Sequence, residues 1–243
     1  MDRRPVAIAI LLLGVLASAG CNLQANRRNT IGRQAFEQGQ YAVAINEFQQ
    51  ALNSNPQNAD AYYNLAASFS AFGKQTKNRQ WQDQAEQLYR QAISIDDQHA
   101  DAHRGLAALL IETQRESFAF DLLNQWKTRY PAATEPLVEL ARLYQEYGDA
   151  RRATDLLADA LRINPGDLRS LKAMGHLREL EGQTHLALDN YLRALQVNGN
   201  QPDLQQRVAS LQTQLASRPV PSNLPGTPNQ PAIRYGAVDP FRR

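Results

Sequence analysis

The chain has 243 residues and a formal net charge of +2, enough length for one sizeable domain or an extended repeat array. The charge is uneven: from Arg218 onward four arginines face one aspartate, whereas the body from Cys21 to Ser217 carries about −2. A body of that sign lacks the basic footprint of a nucleic-acid binder, so no nucleic-acid partner is expected.

The chain opens with Asp2, Arg3 and Arg4, runs apolar from Val6 to Leu16 and turns to small residues from Ala17 to Gly20. A charged start, an apolar segment and a small-residue exit make a secretory signal of residues 1–20. The apolar run is roughly half of the ~20 residues that cross a bilayer, which argues against an uncleaved membrane helix. Two cleavage patterns compete. Ala17-Ser18-Ala19 suits general signal peptidase, with cleavage after Ala19. Ser18-Ala19-Gly20-Cys21 resembles the lipobox of bacterial lipoproteins, departing from it at Ser18, where that family has leucine. This resemblance implies lipidation of Cys21 and attachment to a membrane of the cell envelope through the lipid. Cys21 is the only cysteine. General cleavage would leave it as a free thiol in an oxidising compartment, whereas lipidation removes it, and lipidation is the expectation. Asn22 is not the aspartate of inner-membrane retention, which points to the periplasmic side of the outer membrane.

Residues 21–28 read as the modified N-terminus and a short spacer. Arg28 falls where the following pattern wants an apolar residue, so the first firm helix is expected from Asn29 or Thr30. From there small residues recur at one spacing. Ala85, Ala119, Ala153 and Ala187 are each 34 apart, and Ala44 precedes Ala85 by 41. Gly32, Ala66, Ala107, Ala141 and Gly175 repeat the same steps, as do Gly39, Gly73, Gln114, Gly148 and Gly182. Pro56, Pro131 and Pro165 belong to a fourth series. All agree on a single seven-residue insertion, within Lys74–Gln84.

This period, and the stretch GQYAVAINEFQQALNSNP from Gly39 to Pro56, resemble the tetratricopeptide repeat, a helix–turn–helix unit of about 34 residues. The resemblance implies an all-α, right-handed superhelical α-solenoid of five helix pairs: residues 25–58, 59–99, 100–133, 134–167 and 168–201. In each pair a small residue lets the neighbouring helix approach. Glycine at Gly39, Gly73, Gly148 and Gly182 then ends the first helix in a left-handed cap, and proline stops the second. Gln114 replaces the turn glycine in the third unit, and Asp97 and Gly199 replace the terminal proline. Trp126 stands where the family has alanine, which requires repacking into the space beside Gly105. Trp81, in the insertion, either covers the edge of the array by extending the second helix or protrudes as a partner contact. Residues 202–217 read as a capping helix, with Leu204, Val208, Leu211 and Leu215 on one side and Gln205, Gln206, Gln212 and Gln214 on the other. Residues 218–243 hold six of the twelve prolines and read as a disordered tail, either a plain end or a linker carrying a short motif in IRYGAVDPFRR.

Chemistry finds no foothold. His99 and His103 are four apart, but a repeat boundary separates them and no third ligand or HExxH glutamate accompanies them. GxSxG and phosphate-binding glycine loops are absent from the sequence. No enzyme activity, cofactor or metal is expected. The family resemblance implies instead a groove lined by first helices that receives an extended peptide or a partner helix. Mapping the family's groove positions onto this chain gives Asn29, Arg33, Tyr63, Asn64, Arg104, Glu139, Arg142, Lys172 and His176, a polar set whose arginines suit acidic groups. The carboxylate clamp of chaperone-binding members is not expected. Only Asn64 matches it cleanly, Asn29 and Arg33 stand at its first two positions, and Asp101 and Gly105 occupy its basic ones. The expected role is a membrane-anchored interaction scaffold of the bacterial envelope that supports pilus or envelope-machinery assembly. The alternative is an adaptor for an envelope enzyme such as a cell-wall hydrolase.

Overall fold

The computed structural model describes residues 24–217; the leader, Cys21 and the tail from Arg218 lie outside the described residues. Within them are eleven helices and no strands. These are α1 (24–37), α2 (Tyr41–Ser54), α3 (Ala59–Thr76), α4 (Arg79–Ile95), α5 (Ala100–Glu112), α6 (Glu116–Arg129), α7 (Glu135–Glu146), α8 (Ala150–Ile163), α9 (Leu168–Leu180), α10 (Thr184–Val197) and α11 (Pro202–Ala216). From α2 onward each helix packs on its chain neighbours, and α3, α5, α7 and α9 also touch in succession. Among α2–α11 no contact joins helices more than two apart, which is the quasi-one-dimensional order of a solenoid.

Local chemistry sets the boundaries. First helices begin at polar caps: Asn58 Oδ1 accepts from the Ala61 N–H, His99 Nδ1 from Ala102, and Asp167 Oδ1 from Ser170. Second helices end at Asn55, Tyr130 and Asn164, each followed by proline. Between the two helices of a pair one residue turns left-handed, at Gly39 (φ 72°), Gly148 (φ 79°) and Gly182 (φ 73°). Gln114 takes the same conformation, φ 59°, despite its side chain.

Two expectations need correction, and one alternative is decided. The first helix begins by residue 24, not near Asn29, because Ala25 is fully buried and Arg28 Nη1 pairs with Glu47 on α2 at 2.9 Å. At most Asn22 and Leu23 separate Cys21 from it. Gly73 does not end its helix. It lies buried inside α3, and the left-handed turn has moved to Lys77 (φ 52°). The insertion thus lengthens both helices of the second pair, to 18 and 17 residues, and Asn78 caps the second one. Trp81 packs on this extra length, stacked 5.3 Å from Phe69 and tilted 5.6 Å from Phe72, so it does not protrude.

The core explains where small residues are needed. A Cβ on Gly32 would lie 2.6 Å from Phe48, and one on Gly175 would lie 2.5 Å from Tyr191, so within these pairs only glycine admits the ring. In the second pair the equivalent small residue is Ala66, and Tyr89 instead leans across to Gly105 of the third, where a Cβ would sit 2.5 Å away. The space beside Gly105 is therefore Tyr89's. Trp126 repacks elsewhere, stacked flat on His103 with ring centroids 4.2 Å apart. At the far end α11 is laid out as the first helix of a sixth pair. Leu204, Val208 and Leu211 are buried against α9 and α10. Its other side carries Gln205, Ala209 and Gln212, all exposed, although Ala209 continues the small-residue series 34 positions beyond Gly175. A polar face at that position ends the stack in water instead of inviting another helix.

Candidate functional site

The face built from the first helices holds most of the residues implied by the resemblance, and they form rungs between successive layers. Asn64 Nδ2 donates to Asn29 Oδ1 at 3.0 Å, linking α3 to α1. Gln145 Nε2 donates to His176 Nδ1 at 3.3 Å, linking α7 to α9. Lys172 Nζ donates to Gln201 at 3.1 Å, where the array meets α11. Tyr63 is half-buried, its ring 6.1 Å from Tyr89 and 5.4 Å from His99, and burial raises its pKa with Asp101 adding to the effect. Arg33 is exposed and has no hydrogen bond or ion pair among the described residues.

Glu139 departs from its expected place. It is 3% exposed, with Oε1 accepting from Arg104 Nε at 2.7 Å and Oε2 from Arg142 Nε at 3.4 Å. Arg104 also reaches Asp101 at 2.8 Å, and Arg142 reaches Glu146 at 3.3 Å. Burial works against the charge of Arg104, yet the Glu139 carboxylate raises its pKa further. Two cations thus meet three carboxylates, a local charge of −1. These arginines are occupied, and the basic, acid-seeking character inferred from residue types is lost in the middle of the array.

What the residue types concealed is an apolar groove between α1, α3 and α5. It has a volume of about 660 Å³, a floor of Ala67, Ala71, Ala108 and Leu109, and aromatic walls from Phe36, Tyr41 and Tyr89. Lys74 and Glu112, paired with each other, line one end. Its key positions were visible in the spacing, since Arg33, Ala67, Ala108, Arg142 and His176 follow one another at 34, 41, 34 and 34. Alanines at these positions carry no polar signature in the sequence. A second hollow of about 540 Å³ lies between α9 and α11, where Lys172, His176 and Tyr191 meet Arg207. Tyr191 is pushed up to about 12 by burial and by the Glu179 carboxylate that accepts its hydroxyl at 3.2 Å.

A family model described as TPR repeat matches residues 32–73, which take in the end of α1, all of α2 and most of α3. Among solved structures, a thermophilic TPR protein of Thermus thermophilus is 20% identical and superposes with a TM-score of 0.59, covering 78% of this chain and 99% of its own. The fold is a tetratricopeptide-repeat solenoid. The pilF protein of Pseudomonas aeruginosa shares this TPR fold at 21% identity and a TM-score of 0.51, over 81% of this chain and 92% of its own. In sequence, the chain is similar to a DnaJ homolog subfamily C member 7 homolog of Schizosaccharomyces pombe, 22% identical over 185 residues. That match takes in 72% of this chain but 39% of the yeast protein.

The remaining polar clusters are structural. His99 is buried at the start of α5, with Nε2 3.1 Å from Asp60. His103 donates from Nε2 to the Asp97 carbonyl at 3.1 Å, and burial lowers its pKa. Both ring nitrogens of His99 are engaged, and no group of three potential metal ligands occurs among the described residues.

Proposed function

We propose that this chain is a protein-interaction scaffold of the bacterial envelope, tethered at its N-terminal end through lipidated Cys21, whose groove receives a segment of a partner protein. The apolar groove between α1, α3 and α5 carries this reading. Small side chains on α3 and α5 leave room for bulky partner side chains, and the aromatic walls supply contact area. The half toward α9 and α11 carries Lys172, His176, Gln201 and Arg207, which offer hydrogen bonds to a peptide backbone. The partner therefore brings an apolar stretch to the first three pairs and polar groups to the last two. The envelope part rests on the leader and the lipobox-like SAGC; a helix starting by residue 24 holds the first pair close to the membrane. Support of pilus or envelope-machinery assembly follows from that layout.

A photo-crosslinking residue placed at Ala67 or Ala108 in intact cells tests the groove. Capture of a defined envelope protein, abolished when Ala71→Trp fills the floor, is the expected outcome. Capture unchanged by Ala71→Trp, or matched by a crosslinker on the exposed side of α8, would refute groove binding. Recovery of pilus components supports assembly, and recovery of hydrolases supports the adaptor role. Metabolic labelling with a fatty acid tests the anchor, which fails if Cys21→Ala retains the label.

A further inference from the structure

The tail leaves the array at Ser217, the C-terminal end of α11. First helices all run the same way, so this is the edge at which α1, α3, α5, α7 and α9 also end. The apolar groove opens toward that edge, since Phe36, Lys74, Gln75 and Glu112 lie in the last turns of their helices and Tyr41 begins α2. We propose that the groove's occupant, in the absence of a partner, is this chain's own segment Ile233–Arg243.

Chain length permits it. The groove lies three to five first-helix layers from α11, on the order of 25–50 Å at 8–10 Å per layer. The linker of residues 218–232 reaches roughly 50 Å at full extension. The composition of the segment fits the route and the site. IRYGAVDPFRR offers Tyr235 and Phe241 as bulky groups for an alanine floor with aromatic walls, and its three arginines outnumber its one aspartate. Along the edge, equivalent positions in the first, third and fourth pairs are Glu37, Glu112 and Glu146, of which Glu112 is paired with Lys74 and Glu146 with Arg142. Glu37 is exposed and has no hydrogen bond or ion pair among the described residues. Exposed Tyr147 and Leu180 lie on the same route. Lys77 and Arg79 at the inserted turn are exposed cations of this edge, which places the arginines of the segment toward Glu37 and away from that tip. A body of net negative charge and a tail of +3 attract throughout. A tethered segment works at an effective concentration in the ~mM range, so even a weak site is filled. The consequence for function is competition: a partner entering the groove must displace the tail, and a partner segment that resembles it does so best.

This inference rests on the groove being a binding site, and its test separates the two. In the full chain carrying Cys21→Ser, a nitroxide is attached at Gln75→Cys and the amide signals of residues 233–243 are recorded by NMR. The expected result is loss of most of their intensity, unchanged on dilution, with recovery in Ala71→Trp and in the Tyr235→Ala/Phe241→Ala variant. Undiminished signals, or broadening that Ala71→Trp leaves in place, would overturn it. So would broadening seen only when labelled and nitroxide-bearing chains are mixed, since the occupant would then be a second copy's tail. If the tail proves free while crosslinking at Ala108 still captures a partner, the groove reading stands and self-occupancy alone fails.

Discussion

Replacing Glu139 by glutamine isolates the charge of the buried carboxylate at nearly constant shape. The wild-type side chain is 4% exposed and is the common acceptor of Arg104 and Arg142, whose side chains are 38% and 43% exposed. Removing one partner of a fully buried pair costs about 3–5 kcal/mol. Here both arginines remain partly solvated and keep Asp101 and Glu146, so the loss is discounted to about 1–2 kcal/mol. For an array of this size each kcal/mol moves the melting temperature by roughly 2–4 °C, giving an expected drop of about 2–8 °C. Far-UV circular dichroism, with thermal and urea unfolding at low salt and in high salt, provides the measurement. A cycle with Arg104→Met should show coupling, the double variant losing less than the sum of the singles. Stability of Glu139→Gln equal to wild type at low salt, or strict additivity in the cycle, would show that the cluster is not what joins α5 to α7.

Gln114→Gly should stabilise the array by about 1 kcal/mol in urea unfolding, because Gln114 holds a left-handed backbone (φ 59°) that glycine adopts without penalty. Lower stability would mean that the glutamine side chain contributes more than its backbone costs. His103 gives a pH dependence: burial against Trp126 lowers its folded pKa, while the Asp97 carbonyl and the charges of Asp96 and Asp97 partly offset this. The unfolded chain therefore takes up the proton first, and stability should fall as pH drops below about 6.5. The slope there should flatten in His103→Phe. Gln205→Leu/Gln212→Leu gives α11 an apolar outer face and should make the chain associate with increasing concentration in analytical ultracentrifugation. A monomer at all concentrations would show that something other than polarity ends the stack.

Periodicity alone carried most of the fold, because a repeat cannot bury its own apolar face and the stacking requirement imprints every unit at the same positions. Ala44, Ala85, Ala119, Ala153 and Ala187, read from spacing, are each fully buried. Local exceptions escaped where a contact between pairs overrode the local rule. The insertion looked like an addition beyond the Gly73 turn, but the helix continued through that glycine to Lys77 because Trp81 and Phe69 had surface to bury. Arg28 looked out of place at an apolar position until Glu47 on the next helix supplied its partner.

For the site the division is sharper. By itself the sequence determined the solenoid, the helix faces that line its groove and the polar finish of α11, since each depends on residue type at a fixed helical position. The tertiary structure alone decided which of those residues are available. Glu139 is withdrawn from the groove and Arg104 and Arg142 are neutralised by it, while Ala67, Ala71 and Ala108 become the floor of an apolar opening. Charge is a property of a residue, but free charge and empty space belong to the arrangement, because both depend on what the neighbouring helix places within a few ångströms.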